Sequence, residues 1–201
     1  MKSTRDLVLV ALFAAIIAIM AFTPMIGYIP LGFTRATIIH VPVIIASVML
    51  GPKKGAFLGF LFGLTSLINN TINPTITSFV FTPFFTLGNA EPSWLSLIVC
   101  FVPRILVGVV PYYVRQLTKK LPEIISLGLA GLLGSLTNTI LVMNLIYLFF
   151  RENYAAAQGK AVEVLYAAIS SVIVINGVPE AIVAAVLTVA VCKALSKVVK
   201  N

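Results

Sequence analysis

The chain has 201 residues, of which 60% are hydrophobic and 10% charged. That is more apolar surface than one soluble core of this length can bury, so the composition excludes a soluble globular domain and indicates an integral membrane protein. The formal net charge of +8, from 14 Lys and Arg against 6 Asp and Glu, is therefore read by its position along the chain rather than as a sign of nucleic acid. A bilayer-spanning helix takes ~20 mostly apolar residues. After loops, the length leaves room for about six spans in a single transmembrane domain over 1–201, with no appended catalytic or nucleotide-binding unit.

Apolar runs and breakers predict spans at 7–24, 36–50, 55–72, 93–116, 123–150 and 163–195, an all-α bundle of six transmembrane helices. The first run, from Leu7 to Met20, has the length of a signal-peptide core but continues into Thr23-Pro24 without a small-residue cleavage site. It is expected to be a retained span. The second span is short. The sixth is longer than a bilayer needs, which predicts a tilt, an extension, or a kink at Gly177-Val178-Pro179. No internal repeat is visible, so the inverted-repeat logic of secondary transporters has no support.

Positive charge sets the expected orientation. Lys2, Arg5, Lys53, Lys54, Arg115, Lys119, Lys120, Lys193, Lys197 and Lys200 fall on one side; Arg35, Arg151 and Lys160 fall on the other. The positive-inside rule then puts both termini in the cytoplasm. Cytoplasmic connections such as Gly51-Pro52-Lys53-Lys54 are tight, whereas the outer ones, 22–36, 69–93 and 151–162, are long and suggest a binding face.

Charged residues inside a span cost ~2.5–3.5 kcal/mol each, so those present are expected to be used. Counting 1.5 Å per residue from the cytoplasmic helix ends puts Arg104 ~16 Å and Glu180 ~20 Å up, near one level. An ion pair between them is plausible, either as mutual neutralisation or as part of a ligand site. Asn69, Asn70, Asn138, Asn144, Asn176 and His40 fall in the middle or outer half by the same count, and almost nothing polar is expected in the inner half. Polar lining above an apolar floor describes a cup for a small polar molecule and argues against a continuous ion pore. Each Asn could equally be an interhelical hydrogen bond. The run Asn69-Asn70-Thr71-Ile72-Asn73-Pro74-Thr75 reads either as turn chemistry or as a capping loop that bonds a ligand. Arg35, at the mouth of the second span, could meet an anion or the lipid headgroups. His40 is the sole histidine, without a partner suited to a metal site. Cys100 and Cys192 lie in apolar runs and read as buried small hydrophobes, with no disulfide or metal framework.

Small residues form a second pattern. The first span has Ala-xxx-Ala at 11/15 and at 14/18, the third has Gly55, Gly59 and Gly63, and the fifth has Gly128, Gly131 and Gly134. Such spacing lets helices approach closely. The first span has no strongly polar residue between Leu7 and Phe22, so its alanine face has no evident task but packing.

With these features assembled, the chain resembles the substrate-binding S component of an energy-coupling factor (ECF) vitamin transporter along essentially its whole length. The resemblance is carried by Thr4-Arg5-Asp6-Leu7 before the alanine face, Leu50-Gly51-Pro52-Lys53-Lys54-Gly55-Ala56, Phe62-Gly63-Leu64-Thr65-Ser66 running into Asn69-Asn70-Thr71-Ile72-Asn73-Pro74, Pro103-Arg104-Ile105-Leu106-Val107-Gly108, Gly134-Ser135-Leu136-Thr137-Asn138-Thr139 and Asn176-Gly177-Val178-Pro179-Glu180-Ala181. Together these are most similar to the pantothenate-type branch. The resemblance implies a non-enzyme of the bacterial plasma membrane, without cofactor, that captures a vitamin outside. It also implies partners: a transmembrane coupling subunit and two cytoplasmic ATPases, with the S component toppling to release its substrate. Carried over by position, Ala11, Ala14, Ala15 and Ala18 would dock the coupling subunit, and Asn69, Asn70, Asn73, Arg104, Asn138, Asn144, Asn176 and Glu180 would bind ligand. The chain has no Gly-x-x-x-x-Gly-Lys-[Ser/Thr] loop, so ATP-driven work would come from partners.

Pantothenate carries a carboxylate, an amide and two hydroxyls, which one arginine and several amides suit. Glu180 would repel the anion unless it is bound to Arg104 or to a ligand hydroxyl. A pyridoxine-like or thiamine-like vitamin would tolerate Glu180 more easily, although the single Trp94 argues against a large stacked ring. Two other classes are weighed: an intramembrane hydrolase, for which His40 lacks a matched nucleophile, and a stand-alone proton-coupled carrier using Arg104 and Glu180 as its relay.

Overall fold

The computed structural model describes residues 4–23, 27–31, 34–86 and 92–200, with the backbone alone at 28–31, 34–36 and 197–200. Among them the chain is helical except for one short hairpin. In order they form α1 (Thr4–Phe22), β1 (Tyr28–Leu31), β2 (Thr34–Thr37), α2 (His40–Leu50), α3 (Pro52–Ile72), a 3-10 turn (Ser78–Val80), α4 (Leu95–Val107), α5 (Val110–Leu117), α6 (Glu123–Ala157), α7 (Val162–Val172), a π-helical turn (Ile173–Gly177) and α8 (Val178–Lys200). With α4 and α5 taken together, and α7 with α8, five helices are long and apolar enough to cross a membrane.

The remaining predicted span, 36–50, is corrected by the structure. Its helix starts only at His40 and has 11 residues, which at 1.5 Å per residue is about 16 Å, half a bilayer core. Residues 34–37 instead pair antiparallel with 28–31, Tyr28 opposite Thr37 and Leu31 opposite Thr34. The signal for this was present: β-forming Tyr, Ile and Thr flank Gly32-Phe33, a glycine-first dipeptide of the kind that tight hairpin loops favour. From His40 to Ser47 every residue of α2 is buried, as expected of a helix that is apolar all round.

Gly51 separates α2 from α3 at φ 92°, ψ 169°, a conformation open essentially to glycine alone. Pro52 then opens α3, where its missing N–H costs nothing. Other breaks explain further departures from the predicted spans. The span at 93–116 is split at Gly108-Val109. The helix expected to stop at 150 continues to Ala157, but Phe150 has non-helical dihedrals of φ −132° and ψ 16°, so a kink stands where the end was expected. The kink expected at Gly177-Val178-Pro179 is realised as the π turn ending at Gly177; Pro179 cannot donate to the preceding turn, which favours widening there.

The buried side chains fall into two groups. One gathers Phe13 and Ile17 of α1, most of α2, Leu58 and Phe62 of α3, Val107, Leu127, Ala184 and Cys192. The other gathers Phe79, Val80, Val99, Val142, Ile146, Phe150, Tyr154 and Leu165. Ion pairs Lys54–Asp6 at 2.5 Å and Arg115–Glu123 at 3.6 Å tie helix ends on the side of the first group. Cys100 and Cys192 are free and buried.

Candidate ligand cavity

A cavity opens beside the second core group. Its walls come from every part of the bundle except α1, α2 and α5: Thr37 at the hairpin's end, Ser66 and Asn70 of α3, Thr75, Thr77 and Phe81 of the segment that follows, Arg104 of α4, Asn138, Thr139, Val142, Met143, Ile146 and Tyr154 of α6, Val172, and Asn176 and Glu180 around the π turn. Asn138, Thr139, Val142, Met143 and Ile146 sit at i, i+1, i+4, i+5 and i+8, one helical face, and Tyr154 joins them from beyond the non-helical Phe150. Arg104 is brought to the cavity by close contact of α3 with α4. A Cβ on Gly59 would run into the backbone carbonyl of Arg104, so only glycine permits this crossing.

Arg104 is 6% exposed. Its Nη1 donates to the Val99 carbonyl at 2.8 Å, and its guanidinium carbon lies 5.0 Å from the Phe81 ring centre and 5.7 Å from that of Phe62. Its Nε has no hydrogen-bond partner. Among the described residues no carboxylate forms an ion pair with it. The plausible Arg104–Glu180 pair is therefore absent: Glu180 lines the same cavity but accepts instead from the Thr37 backbone N–H, at 2.9 Å through Oε1. An unpaired buried guanidinium is costly, and Arg104 stands in the wall of the cavity.

Asn138 supplies the complementary feature, a buried Oδ1 with no protein partner. Asn70 differs, because protein already engages both ends of its amide. Its Nδ2 donates to the Ser66 carbonyl at 2.8 Å, and its Oδ1 accepts from Ser78 Oγ at 2.8 Å. Ser78 Oγ also accepts from the Thr75 N–H at 2.9 Å, and the Thr71 and Thr82 hydroxyls are 2.7 Å apart. Turn chemistry thus accounts for much of the polar run after Ile68, and it fastens the outer segment onto the end of α3 as a wall of the cavity.

Of the residues singled out from sequence, Asn70, Arg104, Asn138, Asn176 and Glu180 come together here. Asn69 and Asn73 lie off the wall, joined by Asn73 Nδ2 donating to Asn69 Oδ1 at 3.1 Å. Asn144 is exposed and donates to the Ile140 carbonyl at 2.7 Å. Six residues at 100° each carry it far round α6 from Asn138. His40 is fully buried, outside the cavity wall. The side chain of Arg35 lies outside the described residues. Among the described residues no group of three His, Cys, Asp or Glu gathers to hold a metal. Ser66, Thr139 and Tyr154 were missed, although Ser66 stands one turn before Asn70 and Thr139 follows Asn138. The inner half is also less apolar than expected: Ser47, Ser126, Ser135 and Thr188 are buried there, hydroxyls short enough to hide in helix contacts. On α1, Ala11 and Ala15 are exposed, while Ala14 and Ala18 are half-buried, Ala14 against the core.

A family described as "ECF transporter, substrate-specific component" matches residues 5–192. The pantothenic acid transporter PanT of Lactococcus lactis subsp. cremoris is 36% identical over 205 residues, covering 100% of both chains. The pantothenate transporter PanT of Leuconostoc mesenteroides subsp. mesenteroides is 35% identical over 158 residues, covering 74% of this chain and 71% of the relative.

Proposed function

Because the chain belongs to the substrate-specific components of ECF transporters, a family of multi-pass bacterial plasma-membrane proteins, we propose that it captures pantothenate in this cavity and hands it inward with an ATP-driven coupling module. The observation that carries the reading is Arg104, a buried cation in the cavity wall with no acidic partner among the described residues. The two relatives named for pantothenate transport support the choice of vitamin.

Each group of the vitamin meets a matching surface. Arg104 takes the carboxylate as a charge-assisted pair. The unpartnered Asn138 Oδ1 accepts from the amide N–H or a hydroxyl. Glu180, fixed by the Thr37 N–H, offers its other oxygen to a hydroxyl, so a carboxylate beside an anionic ligand is turned to use. Val142, Met143 and Ile146 give the branched carbon end an apolar wall. Asn70 and Asn176 complete the polar rim.

Both termini are cytoplasmic in this reading, and the cavity faces outward between the hairpin and the segment after α3. The exposed Ala11 and Ala15, with Ala18 beside them, form the docking face for a transmembrane coupling subunit that carries two cytoplasmic ATPases. The chain itself catalyses no reaction and carries no cofactor. Mass spectrometry of small molecules released from the purified protein, followed by calorimetry with pantothenate, tests the proposal. Bound pantothenate with saturable heat supports it; another vitamin, or no response to a vitamin panel, overturns the choice of ligand.

A further inference from the structure

Helix α4 contains a proline at 103, directly before Arg104. In an unbroken α-helix the N–H of residue 103 would donate to the carbonyl of residue 99. Proline has no N–H, so that carbonyl is deprived of its helical donor. The freed acceptor is the Val99 oxygen, and it is this oxygen that receives Arg104 Nη1 at 2.8 Å. A buried carbonyl without a donor and a buried guanidinium N–H without an acceptor are each unfavourable; one contact removes both deficits. The rings of Phe81 and Phe62 then lie near the guanidinium at 5.0 and 5.7 Å. Arg104 lines the cavity, its Nε is buried without a partner, and a planar guanidinium fork suits a carboxylate.

We infer that Pro103 is a positioning residue for anion recognition: by releasing the Val99 carbonyl it supplies the anchor that holds the Arg104 guanidinium, beside Phe62 and Phe81, in the cavity wall. Proline's usual effect, ending or breaking a helix, is not what it does here, since α4 runs on to Val107 and breaks only at Gly108-Val109. This inference rests on the reading of Arg104 as partner of the ligand's carboxylate.

The test compares pantothenate with panthenol, the neutral analogue in which a CH2OH group replaces the carboxylate, by calorimetric titration and competition on the purified full-length protein. Pro103→Ala returns an N–H to compete for Val99. Pantothenate affinity should fall about tenfold, the scale of one charge-assisted hydrogen bond, while panthenol affinity changes less than about twofold. In an Arg104→Gln background, Pro103→Ala should add nothing, because the two act through one interaction. Phe81→Leu leaves α4 untouched and should lower the same preference for the carboxylate, which keeps a readout should the proline variant fold poorly. Equal losses for both ligands, an unchanged preference, or a full proline effect without Arg104 overturns the inference. Wild-type protein with no preference for the carboxylate overturns the reading of Arg104 itself, and is distinguishable because it appears before any substitution.

Discussion

Replacing Arg104 separates the charge it brings from the geometry it imposes. The guanidinium is 6% exposed, spends one N–H on Val99, and has no acidic partner among the described residues. Arg104→Lys keeps the charge but loses the planar fork, so a carboxylate held by two hydrogen bonds would keep one. Such a bond to a charged group is worth ~1.5–3 kcal/mol, which predicts a loss of pantothenate affinity of ~10–100-fold. Arg104→Gln removes the charge as well; truncating one partner of a buried charge pair costs ~2–5 kcal/mol, or ~30-fold and beyond. Without ligand the order reverses, because Gln relieves an uncompensated buried charge. The ligand-free Gln variant should melt no lower than wild type. Calorimetry at fixed salt, with melting temperatures from the same preparations, measures both quantities. Losses under threefold for both variants would refute the carboxylate role, and a lower melting temperature for ligand-free Arg104→Gln would reassign Arg104 to structure.

Three further substitutions probe other parts of the molecule. Gly59→Leu puts a side chain into the Arg104 backbone, so α3 and α4 must separate; overpacking of this kind costs ~1–3 kcal/mol, and the protein should melt lower and bind pantothenate weakly, as a thermal-shift titration would show. Ala15→Leu, on the exposed face of α1, should leave pantothenate affinity intact while abolishing uptake by cells that supply the coupling module; lost affinity would contradict a docking role. Asn138→Leu removes an unpartnered buried acceptor from the cavity and should weaken binding ~5–30-fold, whereas Asn144→Ala, on the exposed side of the same helix, should leave the calorimetric affinity unchanged.

Long-range order was legible in the sequence where it depends on one-dimensional quantities. The run lengths gave five spans with small boundary errors, and the polar residues rare enough to stand out in apolar runs, Arg104, Asn138, Asn176 and Glu180, prove to share a cavity. Depth counting placed Arg104 and Glu180 at one level, as the shared cavity requires, but depth says nothing of azimuth. Two charges at one height can face the same space without touching, and Glu180 found a backbone N–H at Thr37 that no spacing rule foretells. Asn144 illustrates the converse, since its angle from Asn138 follows from helical geometry and would have removed it. The hairpin falls almost wholly in the stretch 22–36 expected as a long connection, and only Ala36 and Thr37 overlap the predicted span; its signal is the β-forming Tyr, Ile and Thr around Gly32-Phe33. The buried Ser47, Ser135 and Thr188 were hidden by size, since a hydroxyl in a helix does little to an apolar average.

The cavity and the inner core together bear on how the ligand can leave. Thr37, Thr75 and Thr77 set the cavity's rim beside the hairpin and the segment after α3, while Ile44, Leu58, Val107 and Leu127 close the bundle on the side of Lys53 and Lys54, each 2% exposed or less. Opening an aqueous path downward through these four side chains would wet them at ~1.5–3 kcal/mol apiece, ~6–12 kcal/mol in all. That is as much as the whole free energy of a micromolar ligand, about 8 kcal/mol. Gly59 and Gly131 add a second obstacle: helix backbones in contact there cannot slide apart without losing the close packing that glycine allows. Side-chain gating through that side is thus the expensive route. Moving the bundle as a body keeps both core groups intact and needs a partner surface able to do work on it. Under the proposed function helix α1 is that surface, with Ala11 and Ala15 exposed and Phe13 and Ile17 buried.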